Sequence, residues 1–287
     1  MNRIQKMFKH LKAKKEKALF PFIVAGYPDT LTTEKVLLTL AESGADLIEI
    51  GVPFSDPVAD GPIIQEASYK ALVKGINLDC IFNIVKKARK KIDVPIVLMS
   101  YYNPILAYGL SNAVKMAKKS GVDGFIIPDL LPEDADEFNK LLKEDNLAQI
   151  FLVTINSSEE RIKKICRKST GFIYLVSRFG VTGPSRSFSV SGSRSGSRAF
   201  SVSGSKNLSM RRAAEQPSLA LNPIKDKIKL IKKYTKTPIA VGFGISNPKQ
   251  AKQIAKIGDA VIVGSAIVKI MNKQTKQIAS FIKSFKQ

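Results

Sequence analysis

The feature that most constrains the fold is a regular alternation of short apolar runs with longer amphipathic segments. The apolar runs, for example residues 46–51 and 171–177, lack an internal polar and apolar alternation, which is typical of parallel strands buried on both faces. The amphipathic segments are predicted helices, and two of them stop at Gly44 and Gly121. The third strand is predicted at 94–103 and the last at 260–268, and a capping box of Ser157 with Glu160 is predicted to open the helix at 157–169. Roughly eight apolar runs at regular spacing predict a closed (β/α)8 barrel, the TIM barrel, rather than an open doubly wound sheet.

The length and composition fit one such domain. The 287 residues, of which 44% are hydrophobic, predict a single barrel over 1–287, with an extra helix before the first strand. The lysine-rich N-terminal segment has no apolar core or cleavage site of a signal peptide. No apolar run approaches the ~20 residues that span a bilayer. Cys80 and Cys166 stand far apart, so we expect reduced thiols and a cytoplasmic location.

The net charge of +22 raises the alternative of a nucleic-acid-binding protein. The lysines are scattered over the polar faces of many predicted helices, and no aromatic residues interleave them as a base-stacking platform requires. We interpret them mainly as solvated helix faces, with some non-specific affinity for polyanions. His10 is the only histidine, which excludes a histidine-cluster metal site, and we predict no metal.

One segment departs from the pattern. Residues 184–222 are rich in serine, glycine and arginine, contain the hexamer FSVSGS at 188–193 and again at 200–205, and lack isoleucine. We predict a disordered insertion in the loop after the sixth strand, because the segment has no core-forming periodicity. A passive insertion, a docking or phosphorylation segment and an engineered insert all remain open.

Two carboxylates mark the end of the second predicted strand. The stretch EIGVPFSDPVADGP, residues 49–62, puts Glu49 at the strand end and Asp60 in the following proline-rich loop. The active site of such barrels lies at the C-terminal ends of the strands. Apolar surroundings there raise the pKa of a carboxyl group, so that it can transfer protons near neutrality, and a second carboxylate can perform the complementary transfer. The alternative interpretation is a pair of solvated or capping acids.

Glycines end the seventh and eighth predicted strands, in VGFGISNP and VIVGSAIV. A glycine lets backbone N–H groups approach an anion closely, and the following helix adds the positive end of its dipole. Barrels often bind phosphate between these two loops. Gly244, Gly264 and Ser265 are therefore the candidate phosphate ligands; the alternative is that the glycines only allow tight strand-to-helix packing.

Seven motifs resemble those of the α subunit of tryptophan synthase, and they cover the chain except about 184–222. The most specific is GADLIEIGVPFSDPVADGPIIQEA. The others are LFPFIVAGYPD, IVLMSYYNPI, GVDGFIIPDLLPED, GFIYLVSRFGVTG, VGFGISNP and VIVGSAIV, at the first, third, fourth, sixth, seventh and eighth strands. The resemblance implies a cofactor-free retro-aldol cleavage of indole-3-glycerol phosphate to indole and glyceraldehyde 3-phosphate.

The resemblance also implies roles for individual residues. Glu49 would be the acid and base at the reacting carbons, and Asp60 would stabilise the positive charge that develops on the indole nitrogen. The substrate-binding residues would be Phe22, Ile126 and Phe243 as apolar walls, Tyr174 for positioning, Gly244, Gly264 and Ser265, and Thr182 and Gly183 on the mobile loop after strand 6. Thr182 would hydrogen-bond Asp60 when this loop closes.

The same resemblance implies a partner. The family works with a β subunit that carries pyridoxal phosphate and receives indole, in an α2β2 heterotetramer, and residues 53–57 and 100–109 match its contact regions. The family's loop after strand 6 is much shorter, so we expect the insertion to weaken the ordering of Thr182 and hence catalysis. Two rival functions stay open: a catalytically weak α-like chain that mainly activates the β subunit, and another phosphate-binding barrel enzyme of histidine or tryptophan biosynthesis.

Overall fold

The computed structural model describes residues 1–177, 221–242 and 244–286, in which short parallel strands form one sheet. The strands are β1 Ala18–Val24, β2 Ile48–Gly51, β3 Ile96–Met99, β4 Gly124–Ile126, β5 Ala148–Ile150, β6 Leu152–Thr154, β7 Ile173–Val176, β8 Ile239–Gly242 and β9 Ala260–Val263. Their order is β5-β4-β3-β2-β1-β9-β8-β7-β6. Nearly all their residues are buried, as the apolar runs predicted.

The ring closes through the predicted fifth strand, which is broken in two. β5 pairs with β4 through Ile126 and Ile150, and β6 pairs with β7 through Leu152 and Tyr174. Only Phe151 separates the two halves, and its carbonyl accepts a hydrogen bond from the Tyr174 N–H at 3.1 Å. The predicted (β/α)8 barrel is therefore confirmed, with nine strand segments among the described residues because one strand is interrupted.

Helices surround the strands. They are α1 Arg3–Lys14, α2 Thr30–Glu42, α3 Pro62–Val73, α4 Leu78–Ala88, α5 Tyr102–Tyr108, α6 Leu110–Ser120, α7 Asp136–Glu144, α8 Glu159–Lys168, α9 Leu221–Lys232, α10 Pro248–Ala255, α11 Ser265–Val268 and α12 Thr275–Lys286, with a 3-10 turn at Pro132–Asp134. Among the described residues, no helix is both long and apolar enough to cross a bilayer.

The predicted extra N-terminal helix is α1, and it packs on the N-terminal end of the barrel. The ring of Phe8 meets those of Phe20 and Phe172 at centroid distances of 5.9 and 6.4 Å. The side chain of Ile4 is completely buried beside Gly171. This end of the barrel is thus filled by aromatic and aliphatic side chains, which leaves the opposite end for a ligand.

An ion-pair cluster fastens the same N-terminal end. The buried carboxylate of Asp123, just before β4, accepts hydrogen bonds from Arg89 Nη2 at 2.6 Å, Arg3 Nη1 at 3.1 Å and the Ile96 N–H at 2.8 Å. Arg89 also donates to the carbonyls of Gly121 and Val94. Because these donors come from different elements, Asp123 ties α1, α4 and β3 together.

Three local predictions were wrong. The third strand was predicted to run to Asn103, but α5 begins at Tyr102, where Asp129 accepts a hydrogen bond from the backbone N–H. Pro104 does not prevent this helix, because it lies in the first turn, where no intrahelical donor is needed. The last predicted strand, 260–268, ends at Val263, and Ser265 already begins α11.

The cap of α8 was also assigned to the wrong serine. The sequence suggested Ser157 with Glu160, whereas the side chain of Ser158 accepts the hydrogen bond of the Arg161 N–H at 3.2 Å. Ser157 instead accepts a bond from the Thr154 N–H. For the predicted insertion at 184–222, its last two residues already belong to α9. The remainder lies outside the described residues, so the predicted disorder stays a prediction.

Candidate active site

Glu49 is buried inside the barrel. It lies in β2, in register with Phe22 of β1 and Val97 of β3, so the three side chains point to the same side of the sheet. Its side chain is fully buried, and neither carboxylate oxygen has a hydrogen-bond partner among the residues that the structure describes. Burial therefore raises the pKa of Glu49 well above its usual range.

Asp60 lies in the loop between β2 and α3, and it is also largely buried. The hydroxyl of Tyr101 donates to its Oδ2 at 3.3 Å. The Gln65 amide donates to its backbone carbonyl at 2.9 Å, which fixes the main chain before α3. Burial raises the pKa of Asp60 to about 6, and the Tyr101 hydrogen bond opposes that rise. The group is thus ionised at neutral pH but close to titration.

Tyr174 lies close enough to both carboxylates to feel their charges. It lies on β7, which the strand order puts directly across the ring from β2. Burial first, and then the charges of Glu49 and Asp60, raise the pKa of Tyr174 well above its usual value. Because groups on opposite strands can act on each other only through the interior, the structure brings together Glu49, Asp60 and Tyr174 as predicted.

The predicted apolar residues lie at the same end of the barrel. A Cβ atom added to Gly51 would lie 2.5 Å from Cζ of Phe22, so the phenyl ring crosses β2 just beyond Glu49. Ile126 is completely buried at the end of β4. It shares the register of Gly51 and Met99, and therefore the face on which Glu49 lies.

The candidate phosphate ligands have the backbone features expected of residues that approach an anion. Gly244 has φ +79°, a conformation that favours glycine. The carbonyl of Gly264 accepts hydrogen bonds from the Ile267 and Val268 N–H groups, so Ser265 is in the first turn of α11, where N–H groups have no intrahelical acceptor. Gly264 also borders Phe22, at 3.6 Å from an added Cβ.

Three predicted site residues, Thr182, Gly183 and Phe243, lie outside the described residues, and their roles stay predictions. For two other residues, the sequence predicted no individual role, although Gly242 was among the glycines noted at the end of the seventh strand. Tyr101 binds Asp60, and the signal was a hydroxyl-bearing aromatic side chain near the end of the third predicted strand. Gly242 leaves room for Tyr174, and only the pairing of β7 with β8 reveals it.

The side chains that could hold a metal are dispersed. Within 1–177, 221–242 and 244–286, no group of three histidine, cysteine, aspartate or glutamate side chains is arranged around a common point. Both cysteines are free thiols, and burial raises the pKa of Cys166.

Comparison with known proteins identifies the family. The sequence model described as "Tryptophan synthase alpha chain" matches residues 8–194 and 213–287. The chain belongs to the tryptophan synthase alpha chain family. This confirms the resemblance seen in the motifs and makes the chain a member of a lyase family. The match is interrupted only at 195–212, inside the predicted insertion.

Relatives and solved structures agree over the full length. The tryptophan synthase alpha chain of Geotalea daltonii is 45% identical over 269 residues, 94% of this chain and 90% of the relative. That of Geobacter sulfurreducens is 42% identical and covers 100% of this chain and 98% of the relative. The alpha subunit structure from Legionella pneumophila has a TM-score of 0.81 at 33% identity, covering 100% and 98% of the two chains. The structure of Mycobacterium tuberculosis tryptophan synthase has a TM-score of 0.82 at 30% sequence identity, covering 99% of this chain and 96% of that chain.

Proposed function

We propose that this chain cleaves indole-3-glycerol phosphate to indole and glyceraldehyde 3-phosphate, the reaction of the tryptophan synthase alpha chains. The observation that carries the proposal is the fully buried Glu49, which has no hydrogen-bond partner in the described part of the chain. Burying such a carboxyl group costs stability, and groups with strongly shifted pKa values cluster at functional sites. Its location at the catalytic end of the barrel, opposite Tyr174, fits proton transfer to a substrate held between them.

The reaction needs two proton transfers around one carbon–carbon bond. Protonation of C3 of the indole ring produces an iminium cation, and removal of the proton from the adjacent glycerol hydroxyl lets the bond break. The electron pair of the broken carbon–carbon bond returns to the indole ring, the carbon that bore the hydroxyl becomes the aldehyde, and indole leaves. Because its pKa is raised, the Glu49 carboxyl can give the first proton near neutrality and its carboxylate can take the second.

Asp60 supplies charge stabilisation. An ionised carboxylate beside the indole N–H stabilises the cation that forms when C3 is protonated. Asp60 is suited to this role because its pKa of about 6 leaves it ionised at neutral pH, whereas burial raises the pKa of Glu49 and favours its protonated form. Two carboxyl groups in different environments thus divide the acid and the electrostatic roles. Phe22 and Ile126 line the same apolar end of the barrel and would hold the ring.

The remaining substrate contacts follow from the family resemblance. Gly244, Gly264 and Ser265 would hold the phosphate at the start of α11, and Phe243 would complete the indole site. Thr182 and Gly183 would close over the substrate, with Thr182 bonding Asp60. Supporting this arrangement, Gly264 adjoins Phe22, which puts the start of α11 beside the apolar wall.

We propose a tryptophan synthase beta subunit as the partner, in a cytoplasmic α2β2 heterotetramer. Family membership supports the partnership. Pyridoxal phosphate would belong to the beta subunit, because the proposed cleavage needs only acid, base and charge stabilisation. The contact regions would be 53–57 and 100–109. Val58 and Leu106, beside or within these regions, are large exposed apolar residues of the kind that interfaces cover.

The test is indole release from indole-3-glycerol phosphate by the purified chain, with and without a beta subunit. We expect release that the beta subunit enhances and that Glu49→Gln abolishes. Glu66→Gln is the matched control, because Glu66 is exposed on α3 and pairs only with Lys70 among the described residues. A folded chain that releases no indole even with the beta subunit would contradict the proposal and leave the role of a non-catalytic partner.

A further inference from the structure

The hydroxyl of Tyr101 makes two hydrogen bonds to consecutive residues of the loop after β2. It accepts the Ala59 N–H at 2.8 Å and donates to Oδ2 of Asp60 at 3.3 Å. The phenol therefore contacts both the main chain and the carboxylate of the same short segment. Since the first bond occupies an oxygen lone pair, the hydroxyl proton is directed to the carboxylate.

The phenol itself is held in place. Phe54, in the same loop, stacks on the Tyr101 ring at a centroid distance of 5.0 Å and an angle of 28°. Tyr101 is buried, directly after β3, and its backbone carbonyl accepts the Ser100 hydroxyl at 2.9 Å. A side chain anchored to the barrel thus sets the orientation of a carboxylate that otherwise sits on a loop.

The donor is available at every relevant pH. Burial and the negative charge of Asp60 both raise the pKa of Tyr101, so its hydroxyl stays protonated. In turn, the hydrogen bond favours the ionised form of Asp60 and opposes the effect of burial on its pKa. Without this bond, Asp60 would be more often protonated near neutrality and free to rotate.

We propose that Tyr101 is a positioning residue that aligns Asp60 toward the substrate and keeps it ionised. The expected effect of Tyr101 on turnover rests on the proposed function. Its effect on the orientation and ionisation of Asp60 does not depend on which substrate is bound. The two can therefore be tested separately in the full-length chain.

The experiment compares Tyr101→Phe with Tyr102→Phe. Tyr102 is the matched control, because its ring packs edge-to-face on Phe138, and the charges of Glu137 and Asp134, not Asp60, act on its phenol. The first readout is the carboxyl titration of Asp60 in the substrate-free chain, followed by 13C NMR and assigned with Asp60→Asn. We expect Tyr101→Phe to raise the midpoint by up to roughly one pH unit, and Tyr102→Phe to leave it unchanged.

The second readout is the pH dependence of kcat/KM for indole release. We expect Tyr101→Phe to lower kcat/KM roughly tenfold at neutral pH and to move the acid limb to higher pH. If Tyr101→Phe does not fold, Phe54→Leu removes the stacking and is expected to shift the same midpoint in the same direction. An Asp60 midpoint unchanged in the folded variant would overturn the proposal. A shifted midpoint in a chain that never releases indole would support the positioning role and reject the proposed reaction instead.

Discussion

The phenol of Tyr174 occupies the space that a side chain at Gly242 would need. A Cβ atom added at Gly242 would lie 2.5 Å from the Tyr174 hydroxyl oxygen and 2.8 Å from Cε1 of its ring. These are closer than real Cβ contacts, and the ring is buried, so it cannot move away freely. Gly242 is therefore required by the position of Tyr174, not by its own backbone conformation.

We expect Gly242→Ala to lower indole release by roughly 10- to 100-fold, because the displaced phenol no longer positions the substrate. Tyr174→Leu should also lower it. Adding Gly242→Ala to Tyr174→Leu should then cause little further loss, since the group that the methyl displaces is gone. A double-mutant cycle on kcat/KM measures this coupling. If the fold-losses of kcat/KM in the two single variants multiplied in the double variant, the two residues would act independently.

Glu49→Gln should lower activity and raise the stability of the folded chain. The raised pKa means that the native state holds a proton that the unfolded chain releases above its ordinary pKa of 4.5. The stability of the wild-type chain therefore falls as the pH rises above that value, and the substitution removes this loss. We expect urea unfolding to show Glu49→Gln more stable than wild type at pH 8, with a smaller difference at pH 5. Indole release should drop by about 10²-fold or more. An equal difference at both pH values would contradict the assigned cause.

The barrel was predictable because parallel strands buried on both faces leave a local signature. Each apolar run that became β2, β4 or β8 can be recognised without knowing its neighbours. The break at Phe151 cannot be recognised in this way, because it depends on the neighbours in the ring: β5 pairs with β4 on one side and β6 pairs with β7 on the other. α5 was missed for a similar reason: its start depends on Asp129, a residue of the next repeat.

Glu49 and Asp60 could be recognised as candidate catalytic residues because they lie in one specific motif at one strand end. The roles of Tyr101 and Gly242 could not be predicted, because each matters through a residue of another strand or loop. Local sequence contains the polar group at a strand end, but only the folded ring shows which groups share a cavity. The assignment of Ser157 as the α8 cap failed on a finer scale, since neighbouring serines satisfy the same pattern.

Asp60 should set the acid limb of the activity profile. With a pKa of about 6, it is protonated below that pH and cannot stabilise a cation on the indole ring. We expect kcat/KM to rise with pH through about 6 and then level off before other groups titrate. Asp60→Asn should lower kcat/KM by roughly 10²- to 10³-fold at pH 7.5 and abolish this limb. If the limb persisted unchanged in Asp60→Asn, another group would have to carry it.

Asp123 should contribute to stability but not to catalysis. Its buried carboxylate is paired with Arg89, which is itself only 10% exposed, so Asp123→Ala leaves a buried guanidinium without its counter-charge. Removing one partner of such a pair costs about 3 to 5 kcal/mol of unfolding free energy. Asp93→Ala is the matched control, because Asp93 is 89% exposed and pairs with Arg3, which also binds Asp123. This substitution should cost less than about 1 kcal/mol of unfolding free energy. Urea unfolding gives both values.

Below the unfolding transition, both variants should release indole at the wild-type rate, because the cluster lies at the end of the barrel opposite the active site. A loss of turnover in folded Asp123→Ala would show that the two ends are coupled.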